Sequence, residues 1–165
     1  MTRKLVAVEC NPDELLMSVL GIPQDGIAHQ NSIGEVCKYL MKGNTRITIV
    51  DEDPQGTHPR IMREFVEMER KHDIAFLYHP GKHKFLFVLC PRLEEWICSR
   101  CNESGISPTD FNLPSNPVHL KKGITYNLEK VESLLASLLQ IGDAGMMYLK
   151  SHLTDSDLKP PIAFS

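Results

Sequence analysis

The sequence predicts an α/β fold, a mostly parallel sheet with flanking helices, followed by a helical C-terminal extension. Three observations predict it. Short runs that are apolar on both faces, as strands buried between helices are, recur near residues 4–9, 26–29, 46–51, 74–78 and 85–90. Segments with helical apolar spacing alternate with the first of these runs, which is the arrangement of βαβ units joined by right-handed crossovers. Beyond Pro91 the strand pattern stops and only helical patterns follow.

In chain order, Leu5-Val-Ala-Val-Glu9 is the first strand, and it ends in an acid. Asn11 reads as an N-cap with Pro12 as the first helical residue. Asp13 and Glu14 favour the positive end of the helix dipole. Leu15, Leu16, Val19 and Leu20 form the helix's apolar stripe, and Gly21 closes it. A short strand over residues 26–29 follows. Ser32 then caps a second helix, with Glu35 at the capping-box position and Ile33, Val36, Cys37 and Leu40 on one face.

The third strand, Arg46-Ile-Thr-Ile-Val-Asp51, runs into Glu52, Asp53 and Pro54. A third helix is expected from about residue 59 to 71, using Ile61, Met62, Phe65, Val66 and Met68. Residues 74–78 and 85–90 are further strands, joined by a turn at His79-Pro-Gly-Lys-His83. After them come a helix carrying Leu93, Trp96 and Ile97, a polar loop over 102–125, a helix over 128–141 and a short last helix over 144–153.

This divides the chain into an α/β core (residues 1–90), a helical part packed on it (91–153) and an extended tail (154–165) containing Pro160-Pro161. With 165 residues and 42% apolar content, the chain is long enough for one domain with a substantial core. No run approaches the 18 or more apolar residues of a membrane span, and Met-Thr-Arg-Lys opens no signal region. Five cysteines without a secretion signal fit free thiols in a cytoplasmic location.

The acids carry the chemistry. Asp51 and Asp53 stand where a buried strand leaves the sheet, on one side of an extended chain, and open α/β sheets bind ligands at such carboxyl ends. Two carboxylates aimed into one crevice call for a hard divalent cation, Mg²⁺ or Mn²⁺. Glu9 ends a neighbouring strand, as ion ligand or general base. Asp13, one helical turn on, is a further candidate ligand. Glu94 follows another strand's carboxyl end at the start of a helix, a place that suits either a crevice residue or a first-turn acid that serves the helix dipole.

Val8-Glu9-x-x-x-Asp13 followed by Val50-Asp51-x-Asp53 resembles the TOPRIM fold. Cys90-Pro91-Arg-Leu-Glu94-Glu-Trp96 resembles the Pro-x-x-Glu-x-Trp segment of RloB-like and overcoming-lysogenization-defect-type TOPRIM proteins. Cys10 and Pro12 depart from the family's Gly and Ser/Thr. The resemblance implies Mg²⁺-dependent phosphodiester chemistry through Glu9, Asp51 and Asp53. It also implies a bacterial, phage-defence-associated setting, often beside ATPases.

Cations for a scissile phosphate are sought between His58 and Lys84, with Arg60 just beyond the aspartates and Lys82 as the candidate catalytic lysine. A net charge of −3 and the lack of a Gly-rich phosphate loop suggest either a small substrate or a larger partner, an ATPase or nucleic-acid-binding subunit docked through the tail. A homo-oligomer is compatible with the sequence. Cys98-x-x-Cys101 has no second pair to complete a zinc site and reads as buried thiols, and Trp96 reads as core.

The leading expectation is therefore a TOPRIM-type metal-dependent nuclease or other phosphodiesterase in antiviral defence. Two alternatives are a non-enzymatic module of the same fold and a receiver-like signalling domain. A receiver carries two acids at its first strand and one at its third, whereas this chain has one and then two.

Overall fold

The computed structural model describes residues 4–155 and 158. Six strands form one sheet: β1 (Val6–Val8), β2 (Ile27–His29), β3 (Ile47–Asp51), β4 (Val66–Lys71), β5 (Ile74–His79) and β6 (Lys84–Leu89), in the order β2-β1-β3-β6-β5-β4. The β2-β1-β3-β6 half is parallel, and β6-β5-β4 is an antiparallel meander, so the sheet is mixed.

Alternation along the strands sorts side chains into two cores. Val6, Val8, Ile47, Ile49, Phe85 and Phe87 face the larger one, which they share with α1 (Asn11–Val19), α3 (Leu93–Ser104), α5 (Leu128–Gln140) and α6 (Ala144–Leu153). Ala7, Val50, Leu86 and Val88 face the smaller one, covered by α2 (Ile33–Lys42) and by Phe65 and Met62. The C-terminal helices thus build one core with the sheet. Trp96 is fully buried there, and its indole N–H donates to the His72 carbonyl at 3.0 Å.

Local signals explain most helix ends. Ser32 caps α2 by accepting from the Glu35 amide at 3.2 Å. Gly21 follows α1 at φ +101°, a conformation costly for any residue with a Cβ. Asn11, expected as the N-cap of α1, lies inside the helix instead. The flanking extended residue is Cys10, whose side chain makes no capping bond, and Pro12 in the first turn has no amide to be capped.

The expected helix over residues 59–71 is absent. A 3-10 turn at Arg60–Glu64 leads into β4, an edge strand with a register shift between Glu67 and Glu69. Lys71 pairs with Ile74 across a two-residue loop, His72-Asp73, with both residues at positive φ, the geometry that best matches strand twist in a hairpin. Pairing with β5 decides the conformation here over the apolar spacing, and charged Glu67, Arg70 and Lys71 suit an exposed edge.

The polar loop expected over 102–125 contains α4 (Pro117–Gly123), capped by Asn116, which accepts from the Val118 amide at 2.9 Å. Of the tail, Thr154, Asp155 and Leu158 are described. Leu158 is buried, and its carbonyl accepts from Arg46 Nη2 at 2.8 Å. The rest of the expected extended tail lies outside the described residues. Among the described residues, no helix is long and apolar enough to cross a membrane.

Candidate active site

The strand order places β1 beside β3, and the chain leaves their carboxyl ends on opposite faces: α1 joins the larger core, while the segment after β3 joins the smaller one. This is a topological switch point, where open α/β sheets leave a crevice for ligands. Glu9 follows β1 and Asp51 ends β3 at this point.

A cavity of about 180 Å³ opens there, lined by Glu9, Asp51, Asp53 and Glu94 together with Arg92, Lys121 and His58. Four acids from three parts of the chain therefore face one space. Each is positioned by ordinary backbone structure. Asp51 Oδ1 accepts from the Leu93 amide in the first turn of α3 at 3.1 Å, which joins the end of β3 to the element carrying Glu94. Asp53 sits at φ +42°, held by its amide to the Pro91 carbonyl at 2.8 Å and by its carbonyl to Gly56 N and His58 Nε2 at 2.8 and 3.0 Å. Gly56 leaves room for the Asp53 carboxylate at that turn, since a Cβ there would overlap Asp53 Oδ2 and turn it aside. His29 bridges the Glu9 carbonyl (3.0 Å) and Glu14 Oε2 (2.9 Å), fixing the turn between β1 and α1.

The carboxylates are crowded and desolvated. Burial, then repulsion from Asp13, Glu94 and Glu9, pushes Asp51 up to about 8, although the Leu93 amide favours its charged form. Burial raises Asp13 to about 7, with Glu9 and Glu94 adding to it against the Cys10 hydrogen bond and His29. Glu9 is raised by burial and by Asp53. Asp13 does not line the cavity: it is only 3% exposed, and its Oδ1 has no hydrogen-bond partner. Among the described residues, no set of three or more His, Cys, Asp or Glu side chains is gathered as a metal ion would hold them.

The cations come from elsewhere than expected. Lys82 lies in the β5–β6 turn, at the amino end of β6, whereas Asp51 pairs with Leu89 at its carboxyl end. Five residue steps of β6, from Lys84 to Leu89 and about 17 Å of strand, separate the two levels, so Lys82 is not part of the site. Lys84 is buried and donates to the Gly43 and Thr45 carbonyls. Arg70 pairs with Glu67 and Glu52. The cations at the cavity are Arg92, 3.2 Å from Asp53 Oδ1, and Lys121 from α4. Arg92 lies inside the Cys90 to Trp96 segment and could have been proposed with Glu94. Lys121 is separated by 70 residues from Asp51, and only the Asn116-Pro117 helix-start signature hinted at the element that carries it.

Cys98 and Cys101 lie on α3. Cys101 is buried, and Cys98 Sγ donates to the Ser115 carbonyl at 3.6 Å. Comparison with protein-family models, with curated proteins and with solved structures finds no match.

Proposed function

We propose that this chain is a divalent-cation-dependent phosphodiesterase of TOPRIM type, acting on nucleic acid. The observation that carries the reading is the convergence of Glu9, Asp51, Asp53 and Glu94 on one cavity at the sheet's switch point, with Arg92 and Lys121 beside them. Carboxylates this close oppose one another's ionisation, and a cation relieves that repulsion. Oxygen donors alone are the donor set of Mg²⁺ and Mn²⁺. Mg²⁺ needs only one or two carboxylates when substrate phosphate and water complete its shell, so three gathered side chains are not required.

Glu9 and Asp51 would hold the ion, with Asp53 on the same side. When bound, such an ion polarises the phosphodiester and acidifies a water. The chain's own part is to position and neutralise. Lys121 and Arg92 bring positive charge to the cavity for the phosphate oxygens. Glu94 is held at the cavity by the α3 turn that donates to Asp51. The sequence resemblance adds the setting of this proposal: bacterial antiviral defence, beside a larger ATPase or nucleic-acid-binding subunit.

The second reading, a non-enzymatic module of the same fold, is favoured by the lack of a gathered ligand trio among the described residues. Hydrolysis of a simple phosphodiester and of DNA and RNA oligomers, with millimolar Mn²⁺ or with EDTA, separates the two. The enzyme reading predicts metal-dependent turnover that Asp51→Asn lowers on the order of a hundredfold or more. Turnover in EDTA, or turnover that Asp51→Asn leaves intact, would contradict it. No turnover with any of these substrates favours the module.

A further inference from the structure

A net charge of −3 and an acid-lined cavity leave open how such a chain grips a polyanion. The segment from Pro117 to Tyr126 supplies what the acids lack. From residue 111 to 128 there is no Asp or Glu, while His119, Lys121 and Lys122 fall together on α4. Neither lysine forms an ion pair with a described residue. Leu120 and Ile124 anchor the segment in the core, so its remaining side chains are turned outward.

Two of those outward side chains are Tyr126 and Val118, 88% and 62% exposed, more than any other large apolar side chain among the described residues. The segment is also continuous with the candidate active site. Pro117, Val118 and Lys121 line a second cavity of about 420 Å³ whose other wall includes Asp53, Arg92 and Glu94. Those three residues and Lys121 line the acid cavity as well.

We infer that Pro117–Tyr126 is the surface that receives single-stranded nucleic acid, leading one strand from an exposed stacking platform into the acid cavity. An exposed ring beside unpaired lysines is the combination that binds single strands without sequence preference: bases stack on the ring and phosphates track the cations. A duplex does not expose base faces to such a ring. Val118 and Pro117 give an apolar wall for the base next to the reacting phosphate, and Lys121 lies where that phosphate enters. The inference rests on the phosphodiesterase reading for the strand's direction, but binding itself needs no turnover.

The test is fluorescence anisotropy of a labelled thymidine decamer in EDTA, so that neither ion nor cleavage contributes. The full chain should bind the decamer with a salt dependence that weakens when lysines are removed, each phosphate contact on a single strand contributing about 0.7 to the log–log slope. Tyr126→Ala should weaken binding about tenfold, and Lys122→Gln should lower affinity and flatten the salt slope. Lys82→Gln, in the β5–β6 turn at the far end of the sheet, should leave binding intact. Both surface positions are exposed, so circular dichroism should show the variants folded. A folded Tyr126→Ala/Lys122→Gln double variant that binds like the wild type overturns the inference, as does a wild-type chain that binds the duplex in preference to the single strand. Binding lost in the double variant without any metal-dependent cleavage would uphold this surface and sink the phosphodiesterase reading. Cleavage of a simple phosphodiester without decamer binding would do the reverse.

Discussion

Replacing Asp51 by Asn should stabilise the metal-free protein, and by an amount that depends on pH. Burial and the neighbouring acids push Asp51 from 3.8 up to about 8. Its folded pKa is raised, so between those values the folded state holds a proton that the unfolded chain has released. Stability therefore falls as pH rises through this window, by at most about 1.4 kcal/mol per pH unit for one such group. Below about pH 4 both states are protonated and the penalty vanishes. Asp13 and Glu9 share the repulsion, so removing one carboxylate recovers only part of it, on the order of 2–4 kcal/mol near neutral pH. Asn keeps an acceptor for the Leu93 amide, so the hydrogen bond at 3.1 Å survives the change. At roughly 2–4 °C per kcal/mol for a chain of this size, the melting temperature should rise by roughly 5–15 °C. Thermal unfolding in EDTA, at about pH 4 and about pH 7.5, measures this. A variant no more stable than the wild type at the higher pH, or equally stabilised at both, would mean that Asp51 carries no proton into the folded state.

Lys82→Ala should leave metal-dependent activity unchanged, because that turn lies at the far end of the sheet, whereas Lys121→Gln should reduce it on the order of ten- to a hundredfold in steady-state assays. Gly56→Ala should turn the Asp53 carboxylate aside and lower metal-dependent activity in steady-state assays, with little change in urea denaturation because the displaced group is half-exposed. Asp143→Ala should cost about 2–3 kcal/mol in urea denaturation, since Arg100 keeps Glu103 and Asp73 as partners. It removes the buried carboxylate 3.8 Å from the fully buried Arg100 and the cap that accepts from the Met146 amide.

The parts legible in the sequence were those where local chemistry and tertiary packing agree. The run from Ile47 to Asp51 is buried except at its last residue and ends in an acid, and it forms the strand that places that acid at the crevice. Ser32 and Gly21 mark helix ends by bonds and dihedrals that they make themselves. Glu94 reached the cavity as its place after β6 allowed. The failures arose where partners far along the chain decide. Ile61, Met62, Phe65, Val66 and Met68 have helical spacing, yet Met62 and Phe65 pack on the smaller core while Met68 packs against the larger one. Residues 66–71 are held by pairing with β5. The hairpin turn is His-Asp rather than a glycine pair, so no turn signal announced it. Lys121 was invisible for a related reason: its helix is one of the shortest, and nothing in its own residues says which crevice it will border.

Glu9 and Asp51 are expected to share a divalent cation, and anomalous scattering from a crystal soaked in Mn²⁺ would locate it. The expected result is a Mn²⁺ peak at the cavity with Glu9 and Asp51 oxygens at coordination distance, about 2.0–2.3 Å, and water or phosphate completing the shell. Crystals of Asp51→Asn, treated identically, should lose that peak. A cavity without manganese at millimolar concentration, with substrate phosphate supplied, would contradict that expectation.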